Sequence, residues 1–322
     1  MHRDETRISR NGWRPAPLLI RANLWPMKSF EIAATDFDLA LTLDSGQTFH
    51  WESSGAGFVG TIGERAIRVE QCGGMLKVRE GGTPSPAGES STLPGAVAHY
   101  FSLDHPLKEI CASFPNDPAM QAAVAFCHGL RIMRQPHWEC LATFITSSMK
   151  QVAHIRQMSQ ALRQSYGRGA MLHGSHVYAF PTAQRLAQCT EDELRECALG
   201  YRAKNLLATA RLVSSGEVNL EALARLRDDE LHAQLCALPG VGPKVANCVM
   251  LFAYERLRAF PIDVWIERVL REKYFPRRRK LSARKLCEFS AQHFGKHGGY
   301  AQQYLFHHAR KTTPRRLSPR AR

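Results

Sequence analysis

Two residue types at a fixed spacing carry the first chemical signal in this chain. Lys244 ends the run Leu238-Pro239-Gly240-Val241-Gly242-Pro243-Lys244, and Asp263 follows nineteen residues later in Phe260-Pro261-Ile262-Asp263-Val264. Gly240 and Gly242 permit positive φ and close approach of the backbone to a neighbour. The run reads as a tight hairpin that launches a helix, with Lys244 in its first turn. There the helix dipole presents its positive end. That end, with partial burial, favours the neutral amine needed for nucleophilic attack. Asp263 stands just before another helical pattern and fits an N-cap. An amine nucleophile and a carboxylate, each near a helix start, suit chemistry at a sugar carbon that develops positive charge. The run is not a P-loop, which needs four residues between its first glycine and the Gly-Lys pair. Taken singly, the hairpin is an ordinary turn, the lysine a solvated side chain and the aspartate a cap. Only together do they point to a reaction.

The chain around them has 322 residues and 44% hydrophobic content, enough core for one large or two modest domains. Its net charge is +14, concentrated in Arg277-Arg278-Arg279-Lys280 and in the stretch Lys311 to Arg322, which holds five basic residues and no acid. A basic excess of this size favours a polyanion, nucleic acid before an anionic membrane. No run of eighteen apolar residues exists, so no membrane span is expected. The basic N-terminus lacks a sustained apolar segment, which argues against a secretory signal. Residues 1–28 read as a disordered extension, with Met27 as an alternative start. Nine cysteines are scattered without a C-x-x-C pair. Neither a zinc ribbon nor a four-cysteine cluster is supported, and reduced thiols in a cytoplasmic protein are the simplest account. No metal and no cofactor is expected.

The elements that must position the two residues follow from periodicity. Residues 29–80 read as strands: Gly57 to Ile62, Ala66 to Glu70 and Met75 to Arg79 alternate or carry β-branched residues between glycine turns. Gly81 to Pro94 is a loop. Helical patterns follow at His137 to Met149, Ala203 to Val213, Leu220 to Leu226, Asp229 to Leu235, Lys244 to Ala253 and Val264 to Lys273. Thr190 and Glu193 form a capping-box pattern, and Gly200 ends the helix that it starts. The class is α+β: a small antiparallel sheet, then a mostly helical body.

Several segments together resemble one family. Cys236 to Cys248, with Phe260 to Val264, is similar to the helix-hairpin-helix glycine/proline-aspartate superfamily of DNA glycosylases. Within it the chain most resembles 8-oxoguanine DNA glycosylases of the eukaryotic type, over about residues 29–310. Leu43-Asp44-Ser45-Gly46-Gln47-Thr48-Phe49-His50-Trp51 resembles the family's Ser-Gly-Gln-x-Phe-x-Trp signature. Leu199-Gly200-Tyr201-Arg202-Ala203 resembles its Gly-Tyr-Arg-Ala segment, and Tyr300 to Phe306 its Ala-Gln-x-x-Leu-Phe.

The resemblance implies a TBP-like β domain over 29–115, a helix-hairpin-helix glycosylase domain over 116–310 and a basic flexible tail over 311–322. It implies a base-excision enzyme with abasic-site lyase activity. Lys244 would attack C1′ of a flipped nucleotide and form a Schiff base, and Asp263 would stabilise the cationic sugar. Gly46 would offer its carbonyl to the N7–H that 8-oxoguanine has and guanine lacks. Cys248 and Phe306 would sandwich the base, and Gln302 would bind its Watson–Crick edge. Flipping a base needs something to fill the gap. Tyr201 resembles that wedge, and Arg202 a contact to the widowed base. The implied partner is double-stranded DNA containing an oxidised purine, with no membrane. The enzyme would be a monomer, nucleoid-associated in a bacterium or nuclear in a eukaryote.

Departures from the family pattern fall at the DNA-facing positions. The family's Ser-Ser-Asn-Asn-Asn segment is Ser147-Ser148-Met149-Lys150-Gln151 here. Met149 replaces an asparagine that fills the cytosine side, His154 an arginine that reads the cytosine, and Trp265 a histidine near the 5′ phosphate. A relaxed opposite-base preference is expected.

Overall fold

The computed structural model describes residues 29–81, 92–148, 150–172, 174–277 and 281–313. The extension 1–28, Met149, Arg278 to Lys280 and the last nine residues lie outside them. The strand-rich segment forms β1 (Ser29–Ala33), β2 (Glu52–Ser54), β3 (Gly57–Ile62), β4 (Arg65–Cys72) and β5 (Met75–Glu80). They make one antiparallel sheet in the order β1-β5-β4-β3-β2. Alternation puts Ile67 and Val69 of β4 and Leu76 and Val78 of β5 on one face, all 0% exposed. Trp51, Val97, Tyr100 and Phe101 close that core. Helix α1 (Leu39–Asp44) interrupts the strand pattern and was not expected. Its six residues are too few to show a helical period. Its marker is Asp38, whose carboxylate accepts from the Leu41 N–H at 2.8 Å.

The helical body runs through α2 (Leu93–Tyr100), α3 (Leu107–Ala112), α4 (Pro118–Phe126), α5 (His137–Thr146) and α6 (Val152–Tyr166). A small hairpin of β6 (Gly169–Leu172) and β7 (Ser175–Tyr178), also unexpected, precedes α7 (Ala183–Ala187) and α8 (Glu191–Leu194). Then come α9 (Arg202–Ser214), α10 (Leu220–Leu223), α11 (Asp228–Cys236), α12 (Pro243–Phe252), α13 (Val264–Val269), α14 (Ala283–His293) and α15 (Gly298–Thr312). The helix expected over Val264 to Lys273 is α13 continued by a π turn, Leu270–Tyr274. α15 runs on to Thr312, so Lys311, expected in the flexible tail, is helical. The Thr190–Glu193 capping box forms as expected.

A buried ion pair joins sheet to body. Arg163 of α6 binds Glu139 of α5 and donates to the Thr61 hydroxyl of β3 at 2.9 Å. His50 bridges the same groups, with Nδ1 3.3 Å from Glu139 and Nε2 2.9 Å from the Thr61 carbonyl.

The hairpin between α11 and α12 is braced by α9. The Thr209 hydroxyl donates to the Pro239 carbonyl at 3.1 Å. Gly240 has φ +80°, and a Cβ there would lie 2.8 Å from Asn205 Cβ. Gly242 differs from the expectation: its φ is −96°, and it caps α12 facing open space, with nothing within 4 Å of a Cβ. Gly240→Ala therefore combines left-handed strain with a clash and destabilises the fold by at least about 2 kcal/mol. Gly242→Ala, at a cap with ordinary backbone and open space, costs no more than about 1 kcal/mol. Urea unfolding of the two variants checks this; equal losses would contradict the geometry.

Candidate active site

Pro243 and Lys244 are the first two residues of α12. Proline at the first position lacks an N–H that would go unpaired there, and its fixed φ suits the helix. The side chain of Lys244 is half-buried, with Nζ 5.3 Å from the centroid of the Phe144 ring. One turn further on, Cys248 is 3% exposed. Burial pushes its thiol up; the nearby Lys244, which hydrogen-bonds to it, opposes the shift without reversing it. Burial thus favours the uncharged thiol at Cys248.

Asp263 caps α13, its carboxylate accepting from the Ile266 N–H at 2.8 Å. Burial pushes its carboxyl up, against the Ile266 N–H and the charge of Lys244. Lys244, Cys248 and Asp263 thus form one electrostatically coupled group.

A second group assembles where the N-terminal sheet domain meets the last helix. Gly46 follows α1 with φ +86°. A Cβ there would lie 3.1 Å from Phe306 Cε1, so the backbone approaches the ring as only glycine allows. Phe306 is half-buried, and the Arg310 guanidinium carbon lies 5.7 Å from its ring centroid. Gln302 is 4% exposed, and its Oε1 has no hydrogen-bond partner among the described residues. A buried unpartnered amide oxygen is costly and points to a ligand with a donor. α13 packs on α15, which brings the two groups to one region of the body.

The residues expected to face DNA are placed unevenly. Tyr201 is 59% exposed at the start of α9, as a wedge requires. Arg202 is not at the surface beside it. It is 5% exposed, its Nε donates to the Ser148 carbonyl at 3.0 Å, and its guanidinium carbon lies 4.4 Å from the Tyr201 ring centroid. It supports Tyr201 and ties down the chain before Met149 rather than offering a free edge to a base. His154 is exposed on the first turn of α6. Trp265 is half-buried beneath Arg268, whose guanidinium carbon is 5.6 Å from its ring. Gly242 is exposed at the start of α12. Met149 lies outside the described residues.

Sequence reasoning missed Phe144 beneath the lysine, and Gln303 and Arg310 beside Phe306. The 303, 306, 310 spacing, one stripe of a helix, is the signal that could have found the last two. Among the described residues no group of three or more His, Cys, Asp or Glu side chains could hold a metal ion.

Comparison with known proteins covers the same two parts. Residues 29–141 match the 8-oxoguanine DNA glycosylase N-terminal domain, and residues 142–292 match the HhH-GPD superfamily of base excision DNA repair proteins. The N-glycosylase/DNA lyase OGG1 of Arabidopsis thaliana is 30% identical over 293 residues, spanning 88% of this chain and 79% of the relative. A probable N-glycosylase/DNA lyase of Methanothermobacter thermautotrophicus is 28% identical over 307 residues, 87% of this chain and 96% of that one. The apo crystal structure of the Clostridium acetobutylicum 8-oxoguanine glycosylase/lyase has a TM-score of 0.78 at 32% identity, covering 87% of this chain and 96% of that chain. With sheet, hairpin and terminal helix all inside these matches, the chain belongs to the 8-oxoguanine DNA glycosylase family of the HhH-GPD superfamily.

Proposed function

We propose that this chain removes 8-oxoguanine from double-stranded DNA and nicks the resulting abasic site, acting at the genome in a nucleoid or a nucleus. The observation that carries the reading is Lys244 at a helix start, coupled to the half-buried Asp263 at the start of α13. The relatives support it, among them the Clostridium acetobutylicum enzyme, known in complex with DNA containing cytosine opposite 8-oxoguanine.

The chemistry follows from the residues. As the bond between C1′ and the base lengthens, positive charge develops on the sugar, and the Asp263 carboxylate stabilises it. The Lys244 amine forms a new bond to C1′, the base departs with the bonding electrons, and a proton is passed to it. The nitrogen lone pair then breaks the C1′–O4′ bond; O4′ takes a proton as the ring opens, and the nitrogen keeps one proton in a protonated Schiff base. The imine acidifies the C2′ hydrogen. Loss of that proton expels the 3′ phosphate and cuts the strand. Because burial raises the Asp263 carboxyl, its ionised form is lost at a higher pH than in a solvated aspartate.

In this reading the base enters between Cys248 and Phe306. The Gly46 carbonyl accepts its N7–H, and the unpartnered Gln302 oxygen accepts from its Watson–Crick edge. Tyr201 fills the vacated stack. Exposed Arg277 and the basic residues beyond it add phosphate contacts, which weaken as salt rises.

Borohydride trapping on a duplex with 8-oxoguanine opposite cytosine tests the reaction. Wild type gives a covalent adduct, and Lys244→Gln gives none. Base release without any adduct would instead indicate attack by water.

The second expectation concerns the opposite strand. An imidazole at 154 lacks the five-donor fork of a guanidinium. A good bidentate base contact is worth about 1–3 kcal/mol of discrimination, and that contact is missing here. Excision rates with C, A, G or T opposite the lesion then differ by less than about tenfold. A steep preference for C in single-turnover assays would sink this part of the reading.

A further inference from the structure

One stripe of α15 grips the segment that carries Gly46. Gln303, Phe306 and Arg310 lie at i, i+3 and i+7, on one face of the helix. Gln303 is 2% exposed, and its Nε2 donates to the Ser45 carbonyl at 2.8 Å. Arg310 donates to the Asp44 carbonyl. It also lies 3.6 Å from the Asp44 carboxylate, which Lys311 approaches to 2.5 Å and Arg156 to 3.4 Å. On the far side of Gly46, the Gln135 amide donates to the Gln47 carbonyl at 2.7 Å.

The carbonyls of residues 44, 45 and 47 are thus all held by side-chain donors, two of them from α15. The Gly46 carbonyl stands between them, and among the described residues none donates to it. Each residue has only two soft backbone dihedrals, so fixing the flanking peptide planes fixes the direction of the plane between. Phe306 lies within the same stripe, and the Arg310 Nη1 would be 3.6 Å from a Cβ at Gly46. Loop, ring and guanidinium form one packed unit.

We infer that Gln303 and Arg310 are positioning residues: they aim the Gly46 carbonyl relative to the Phe306 ring and so set the preference for a purine protonated at N7. This rests on the reading of the base pocket proposed above. Both residues bind the segment that carries Gly46 rather than Lys244 or Asp263, so the effect falls on recognition of the base rather than on imine chemistry.

The test compares Gln303→Met and Arg310→Met with wild type in two single-turnover assays. One measures release of 8-oxoguanine from a duplex. The other measures nicking of a duplex that already holds an abasic site, where there is no base to read. Each substitution slows base release about tenfold, the scale of one lost buried hydrogen bond, while nicking stays within about threefold of wild type. Arg310→Lys, which keeps a donor, recovers part of the loss. Unchanged base release in both variants overturns the inference, as does an equal fall in both activities, the mark of a general structural defect. Failure of wild type itself to release 8-oxoguanine overturns the reading of the pocket, and the inference with it.

Discussion

A half-buried carboxylate coupled to a nearby amine is the constraint on which the rest of this molecule depends. Asp263 is withdrawn from water, which alone would drive it to the neutral form. Against that stand backbone N–H groups at the start of α13, Ile266 first, and the charge on Lys244. The first is local to α13; the second requires that the start of α12 lie near the start of α13. The hairpin supplies the start of α12 and depends on Gly240, whose left-handed backbone presses against Asn205 of α9. The architecture of α9, α11, α12 and α13 is in this sense the support for one electrostatically coupled lysine and aspartate.

The proposed base pocket imposes a second requirement, since its parts come from opposite ends of the chain. Gly46 belongs to the sheet domain, and Gln302 and Phe306 belong to the last helix. Neither part makes the pocket alone, so the seam between them must be rigid. The Arg163–Glu139 pair and its bond to Thr61 bind the sheet to α5 and α6. Arg131 adds bonds to the carbonyls of Ser102 and His105 at 2.7 and 2.8 Å. Breaking one member of a buried pair costs several kcal/mol because the other is left uncompensated. At the proposed pocket itself the joint is made by Gln303 and Arg310 of α15, which hold the carbonyls of Ser45 and Asp44.

The parts that were legible in the chain are those with local causes. The hairpin, the Asp263 cap, the Thr190–Glu193 box and the alternating strands each follow from residues a few positions apart. What could not be read depends on distant contacts. Arg202 looks like a free basic side chain in sequence and is buried because the Ser148 carbonyl lies beneath it. Gly242 looks like a second left-handed glycine, yet only Gly240 is one, because the turn is complete before the helix cap. The β6–β7 hairpin has no clear alternation in its four-residue strands and forms against β3 and β4. Gln303 and Arg310 look like ordinary helix residues until α15 is placed against residues 44–46.

The most direct measurement is single-turnover excision from two duplexes that differ only in 8-oxoguanine versus guanine at one position opposite cytosine. If the Gly46 carbonyl reads N7–H beside a competent lysine, 8-oxoguanine is released and guanine is disfavoured by at least about tenfold, the cost of an unpaired buried acceptor. Equal release of the two bases, or release of neither, would contradict the account.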